Sequence, residues 1–94
     1  MEIDYKDLED RFDCACKDVV TNLSQIYKSD YESQGPEKLL TFFELIQNEF
    51  DNVKLSFIRE NRISSDQKAL QSIFNIAKTY AKRCLDDYGK ISAN

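Results

Sequence analysis

The stretch Leu39-Leu40-Thr41-Phe42-Phe43-Glu44-Leu45-Ile46-Gln47-Asn48-Glu49-Phe50-Asp51-Asn52-Val53-Lys54-Leu55-Ser56-Phe57 decides how this chain is read. Its apolar residues Leu39, Phe43, Ile46, Phe50, Val53 and Phe57 are spaced alternately by four and three. That spacing returns each side chain to nearly the same side of an α-helix, whereas a strand requires alternation by two. Phe42, Phe43, Phe50 and Phe57 all fall on this segment, and each can bury on the order of 150–250 Å². The helix is therefore expected at the centre of the core. Pro36 suits a first helical position, where its missing N–H would be unpaired in any case. Asn61 suits a left-handed cap at the far end, so the helix is expected over about 36–61.

The same spacing recurs on either side. Tyr5, Leu8, Phe12, Ala15, Val19, Leu23 and Ile26 form a stripe over about 4–28. Asp4 is the expected N-cap, with Asp7 and Glu9 in the first turn, where the helix dipole favours negative charge. Beside that stripe runs a second line, Cys16, Val20, Tyr27 and Tyr31, which either widens the buried face or meets something else. Only Ser29-Asp30-Tyr31-Glu32-Ser33-Gln34-Gly35 has loop composition. A third stripe, Leu70, Ile73, Phe74, Ala77, Tyr80, Ala81, Cys84 and Tyr88, follows the capping-box pattern Ser64-x-x-Gln67 and ends before Gly89, the expected left-handed C-cap. This helix is expected over about 65–88. Asp86 and Asp87 sit badly in such a last turn, where the dipole prefers cations.

Three rods of about 37 Å, at 1.5 Å rise per residue, with short connections, predict an all-α antiparallel up-down-up three-helix bundle. The expected core is Phe12, Val19, Leu23, Phe43, Ile46, Phe50, Val53, Phe57, Ile73, Ala77 and Cys84. The 94 residues contain only 2 glycines and 1 proline, which argues for a few long elements rather than many turns. Such a length implies one helical domain over 1–94. No apolar run approaches the roughly twenty residues of a membrane span, and the start, Met1-Glu2-Ile3-Asp4, is acidic rather than basic then apolar. A cytoplasmic or nuclear location is expected. Three cysteines cannot close a full disulfide set, and Cys14-x-Cys16 differs from the Cys-x-x-Cys of redox and zinc sites. They are expected to be reduced core or near-surface thiols.

Candidate chemistry is sparse. The chain has no histidine, which removes Ser-His-Asp and Cys-His nucleophile activation, histidine phosphotransfer and most catalytic zinc sites. Glycine-rich phosphate loops and the EF-hand spacing are missing too. Glu9, Asp10, Asp13, Asp86 and Asp87 lie on faces that the stripes leave in solvent, so no carboxyl is expected to be desolvated for acid–base work. No catalytic residue, metal or cofactor is expected. The net charge is −4, with nine acids and four bases through Gly35 but three acids and six bases from Arg62 onward. Attraction between oppositely charged helices accounts for this; the basic patch Lys78, Lys82 and Arg83 is expected to pair with the acidic first helix or to serve solubility, a small anionic-partner contact being the alternative. An acidic chain without interleaved aromatics and bases is a poor nucleic-acid binder.

Apolar residues off the stripes point outward. With Leu39 at zero and about 100° per residue, Leu45 falls near 240° and Leu55 near 160°, away from the core. Together with Val20, Tyr27 and Tyr31 they form the expected partner-binding set. The pattern Asp30-Tyr31, Pro36, Phe43, Phe50, Glu60-Asn61 resembles the last helices of the formin homology 2 domain, the actin-assembling module. The likeness covers about thirty residues of a domain some four times longer than this chain. It implies a cytoskeletal regulatory segment, but the third helix has no counterpart, and the shared residues are ordinary helix core from which no residue role carries over. The expected function is a non-catalytic protein–protein interaction module, as adaptor, scaffold segment or regulatory subunit. Homodimerisation through the same surface, completing a small core, is the alternative.

Overall fold

A computed structural model describes residues 4–32 and 36–92. Its helices are α1 (Tyr5–Ile26), α2 (Pro36–Glu60) and α3 (Gln67–Ser92), and α1 runs on through a wider π-helical turn, Tyr27–Tyr31. They pack as the expected up-down-up bundle, 51 × 20 × 18 Å. The α2–α3 seam is the closest and the α1–α2 seam the most open. Asp4 caps α1 as expected, its Oδ1 accepting the Asp7 backbone N–H at 3.1 Å.

In the core, Leu8, Phe12, Cys16, Val19 and Leu23 of α1 meet Leu39, Phe42, Ile46, Phe50, Phe57 and Ile58 of α2. Ala69, Ile73, Ala77 and Cys84 of α3 close it. Two expected core members differ: Phe43 and Val53 are only half-buried, while Phe42 is completely enclosed. By helical register, both Phe42 and Phe43 fall within the broad inner face of α2. The choice is made by neighbours, since the rings of Tyr27, Tyr31 and Tyr88 surround Phe42 at 5.2, 5.1 and 4.6 Å between centroids. On α1, Cys16 is fully buried, whereas Ala15 is only half-buried. The second line of α1 thus widens the buried face. On α3, Phe74 leaves the core and is 46% exposed.

The junction of α2 and α3 corrects two expected caps. Arg62, not Asn61, takes the left-handed conformation, with φ 54°. The Ile63 N–H reaches back to the Ile58 carbonyl at 3.2 Å and the Arg62 N–H to the Arg59 carbonyl at 3.2 Å. This is a Schellman closure, sealed as such closures usually are by an apolar contact across the turn: Ile63 is buried beside Ile58 and Phe57 in one cluster. Asn61 instead donates from Nδ2 to the Phe57 carbonyl at 2.9 Å and accepts from Arg11 Nη1 of α1 at 2.9 Å. The Ser64 capping box is replaced by Asp66, whose Oδ1 accepts the Ala69 N–H at 3.1 Å while its carbonyl accepts that of Leu70 at 3.0 Å. An Asp next to the first helical residue caps as well as Ser, and Ile63 must turn inward first.

At the other end, the segment expected as loop begins as helix. The Glu32 N–H bonds to the Tyr27 carbonyl at 2.8 Å, a π-type i to i−5 closure. Gly35, where that loop was expected to end, lies outside the described residues. Gly89 is not a C-cap either, because α3 continues through it to Ser92. Asp86 and Asp87 therefore stand before the last turn, which carries Lys90, and the dipole conflict disappears.

Candidate interaction surface

Among the described residues three large apolar side chains stand out in solvent: Leu40 at 68%, Leu55 at 56% and Phe74 at 46% exposure. All three lie on α2 and α3; the outer face of α1 carries polar and charged residues and the small Cys14. The difference follows from composition. Around α1, the exposed positions are Lys6, Asp7, Asp10, Arg11, Cys14, Lys17, Asp18, Thr21, Asn22 and Gln25, so no large apolar side chain stands in solvent there.

Of the expected partner-binding set, only Leu55 is exposed as foreseen. Leu45 is half-buried and packed against the core. Val20, Tyr27 and Tyr31 are likewise partly buried against the core. Nor do the five converge. Tyr27 and Tyr31 join Phe42 and Tyr88 at one end of the bundle, Tyr27 lying 4.8 Å from Tyr88 between centroids, while Leu55 sits near the opposite end of α2. Phe74 and Leu40 were not singled out from the sequence. Phase along the helix fits Phe74 for the core, and nothing in a single sequence says that its neighbours will leave it outside.

Phe74 borders a groove of about 230 Å³ between α2 and α3, lined by Gln47, Phe50, Asp51 and Lys54 on one helix and Phe74, Ala77, Lys78 and Ala81 on the other. The Lys54 ammonium lies 4.8 Å above the Phe74 ring and 3.3 Å from Asp51 Oδ1. Across the other face of α3, Tyr80 donates to Asp13 Oδ1 of α1 at 2.6 Å. Burial, followed by that hydrogen bond, pushes the Tyr80 hydroxyl up to about 12. The same bond, aided by Lys17, holds the Asp13 carboxyl below its ordinary value. An acid poised for proton transfer at neutral pH would be shifted the other way.

The oppositely charged helices attract without forming an ion pair between them among the described residues: after the larger effects of Tyr80 and Lys17, the Arg83 charge of α3 also lowers the Asp13 carboxyl of α1. The ion pairs among the described residues, Arg11–Asp7, Lys17–Asp13 and Lys54–Asp51, each lie within one helix. Lys78, Lys82 and Arg83 make none; Arg83 instead faces the Tyr80 ring at 5.9 Å. Cys16 and Cys84 are buried and Cys14 exposed, all three as free thiols. Burial pushes the Cys16 thiol up to about 12 and raises that of Cys84, the direction opposite to nucleophile activation. Among the described residues no group of three His, Cys, Asp or Glu side chains is placed to hold a metal ion. No described helix is long and apolar enough to cross a membrane.

No protein-family model matches the chain, and neither a curated protein nor a solved structure matches it, so the formin likeness over 30–61 stays one of ordinary core residues in a small all-helical fold.

Proposed function

We propose that this bundle is a non-catalytic protein-interaction module, an adaptor, scaffold segment or regulatory subunit whose contact surface lies on α2 and α3. The observation that carries the reading is the placement of Leu40, Leu55 and Phe74, the most exposed large apolar side chains among the described residues, all on these two helices. Scattered exposed leucines are ordinary; their restriction to two of three helices is what marks a face. A cytoplasmic or nuclear location goes with this reading, supported by an odd cysteine count with all thiols free. Among the expected contact residues Leu55 belongs to the face fully. Leu45, Val20, Tyr27 and Tyr31 contribute only their exposed edges, having work to do in the core.

The test is affinity capture from the native source with the wild-type chain and with a Leu40→Asp, Leu55→Asp, Phe74→Asp variant. Exposed substitutions usually change stability by within about 0.5 kcal/mol each, so circular dichroism should give the variant a near wild-type melt. A protein held by the wild type and lost by the folded variant supports the module. Equal capture by both moves the contact off α2 and α3. Sedimentation at several concentrations reads the alternative directly, since a dimer that the variant abolishes would make the face a self-association surface.

A further inference from the structure

The groove between α2 and α3 has an unusual make-up for so small a bundle. Its floor is Phe50, 2% exposed, beside Ala77 and Ala81 of α3. Alanines one helical turn apart place no long side chain in the space, which is why a recess remains there. Phe74 forms one wall, its ring held by the Lys54 ammonium, whose charge Asp51 already balances. Along the α3 rim stand Lys78 and, one turn further, Lys82, both exposed and neither in an ion pair among the described residues. A recess floored by apolar side chains and rimmed by polar ones is thus bordered along α3 by two lysines outside any ion pair among the described residues, on a chain whose net charge is −4.

We infer that this groove receives an acidic amphipathic helix from a partner protein. A large apolar side chain of that helix sits over Ala77 and Ala81 against Phe74, and its carboxylates face Lys78 and Lys82. Helices dock in grooves by such anchors spaced at three and four residues, and charge at the rim selects the partner and speeds its arrival. A second copy of this chain fits poorly. Its acidic helix, α1, offers no exposed large apolar side chain as an anchor, and a two-fold contact centred on the groove sets the lysine row against itself. The inference rests on the interaction-module reading and adds the partner's chemistry to it.

Two synthetic helical peptides test it, both with leucine and phenylalanine along one face, one with glutamate and the other with lysine elsewhere. Fluorescence anisotropy should show the glutamate peptide binding about tenfold or more tighter at low salt, the gap closing as salt screens the rim. Amide NMR shifts should concentrate in 47–54 and 74–82. A Lys78→Glu, Lys82→Glu variant should reverse the preference, and Phe74→Ala should weaken the glutamate peptide without unfolding the chain. Equal binding of the two peptides, binding of neither, or shifts mapped to another face would each overturn the acidic-helix assignment. Capture of a protein lost by the triple aspartate variant would then leave the broader module reading standing, so the two failures are distinguishable.

Discussion

Where α2 turns into α3, directional bonds do the joining: Tyr5 donates to Asp66 at 2.9 Å, Arg11 to Asn61 at 2.9 Å, and Asp66 caps α3. At the opposite end Tyr27, Tyr31, Phe42 and Tyr88 meet ring to ring, with centroids 4.6 to 5.2 Å apart. The first end sets geometry, because a hydrogen bond specifies angle and partner but contributes only about 0.5–1.5 kcal/mol net. The second end supplies energy, because aromatic burial is large but weakly directional. A bundle of three plain helices needs both, one end to fix the register of α1 against the α2–α3 turn and the other to hold the open ends of all three together.

The largest effect is expected at the aromatic end. Phe42→Ala should cost about 3–5 kcal/mol, a large part of the roughly 5–15 kcal/mol that holds a domain. Phe43→Ala, at a half-buried position, should cost clearly less. Urea unfolding of the two variants side by side decides the register of α2: equal losses would break the account of Phe42 as the meeting point of three helices.

At the polar end the effect is smaller but depends on pH. Asp66→Ala removes the α3 cap and the Tyr5 acceptor together and should lower the melting temperature by several degrees at neutral pH. The Ala69 N–H, then the Tyr5 hydroxyl, hold the Asp66 carboxyl below its ordinary value. A depressed folded value means that its stabilisation is present above the unfolded value of about 3.9 and is lost as pH falls through the folded one. Asp66→Asn, which can still cap but carries no charge, should lose less than Asp66→Ala at neutral pH. The gap between wild type and both variants should narrow in acid, and a gap independent of pH would remove Asp66 from the latch.

The smallest changes should be gains. This chain keeps a glycine inside α3, at Gly89, where an added Cβ meets nothing within 4 Å, and an arginine at the left-handed position 62. Gly89→Ala should stabilise by roughly 0.5–1 kcal/mol by restricting the unfolded chain. Arg62→Gly relieves a conformation that costs an L-residue about 1–2 kcal/mol, offset in part by glycine's freedom when unfolded, for a net gain of about 0.5 kcal/mol. Thermal melts read both. A loss on Gly89→Ala would restore Gly89 as a helix cap and shorten α3.

The helices themselves were legible in the order of residues, because periodicity is local: a stripe at three and four commits a segment to a helix and to a buried side. So were the Asp4 cap, the Pro36 start and the all-α bundle. The stops were not. Asn61, Ser64 and Gly89 each have the chemistry of a cap, yet Arg62, Asp66 and continued helix took their places. A cap is chosen by where the chain must turn, and here burial of Ile63 sets the turn. Phase around the helix was legible only coarsely, since residues one apart differ by about 100° and a face flanked by two helices is broader than that. Which of Phe42 and Phe43 is enclosed, whether Leu45 is covered, and whether Phe74 is left outside depend on side chains tens of residues away. The candidate surface follows the same rule. A sequence orders residues along a line, but an exposed face is what remains after three helices have covered one another, and only the packed structure carries out that subtraction.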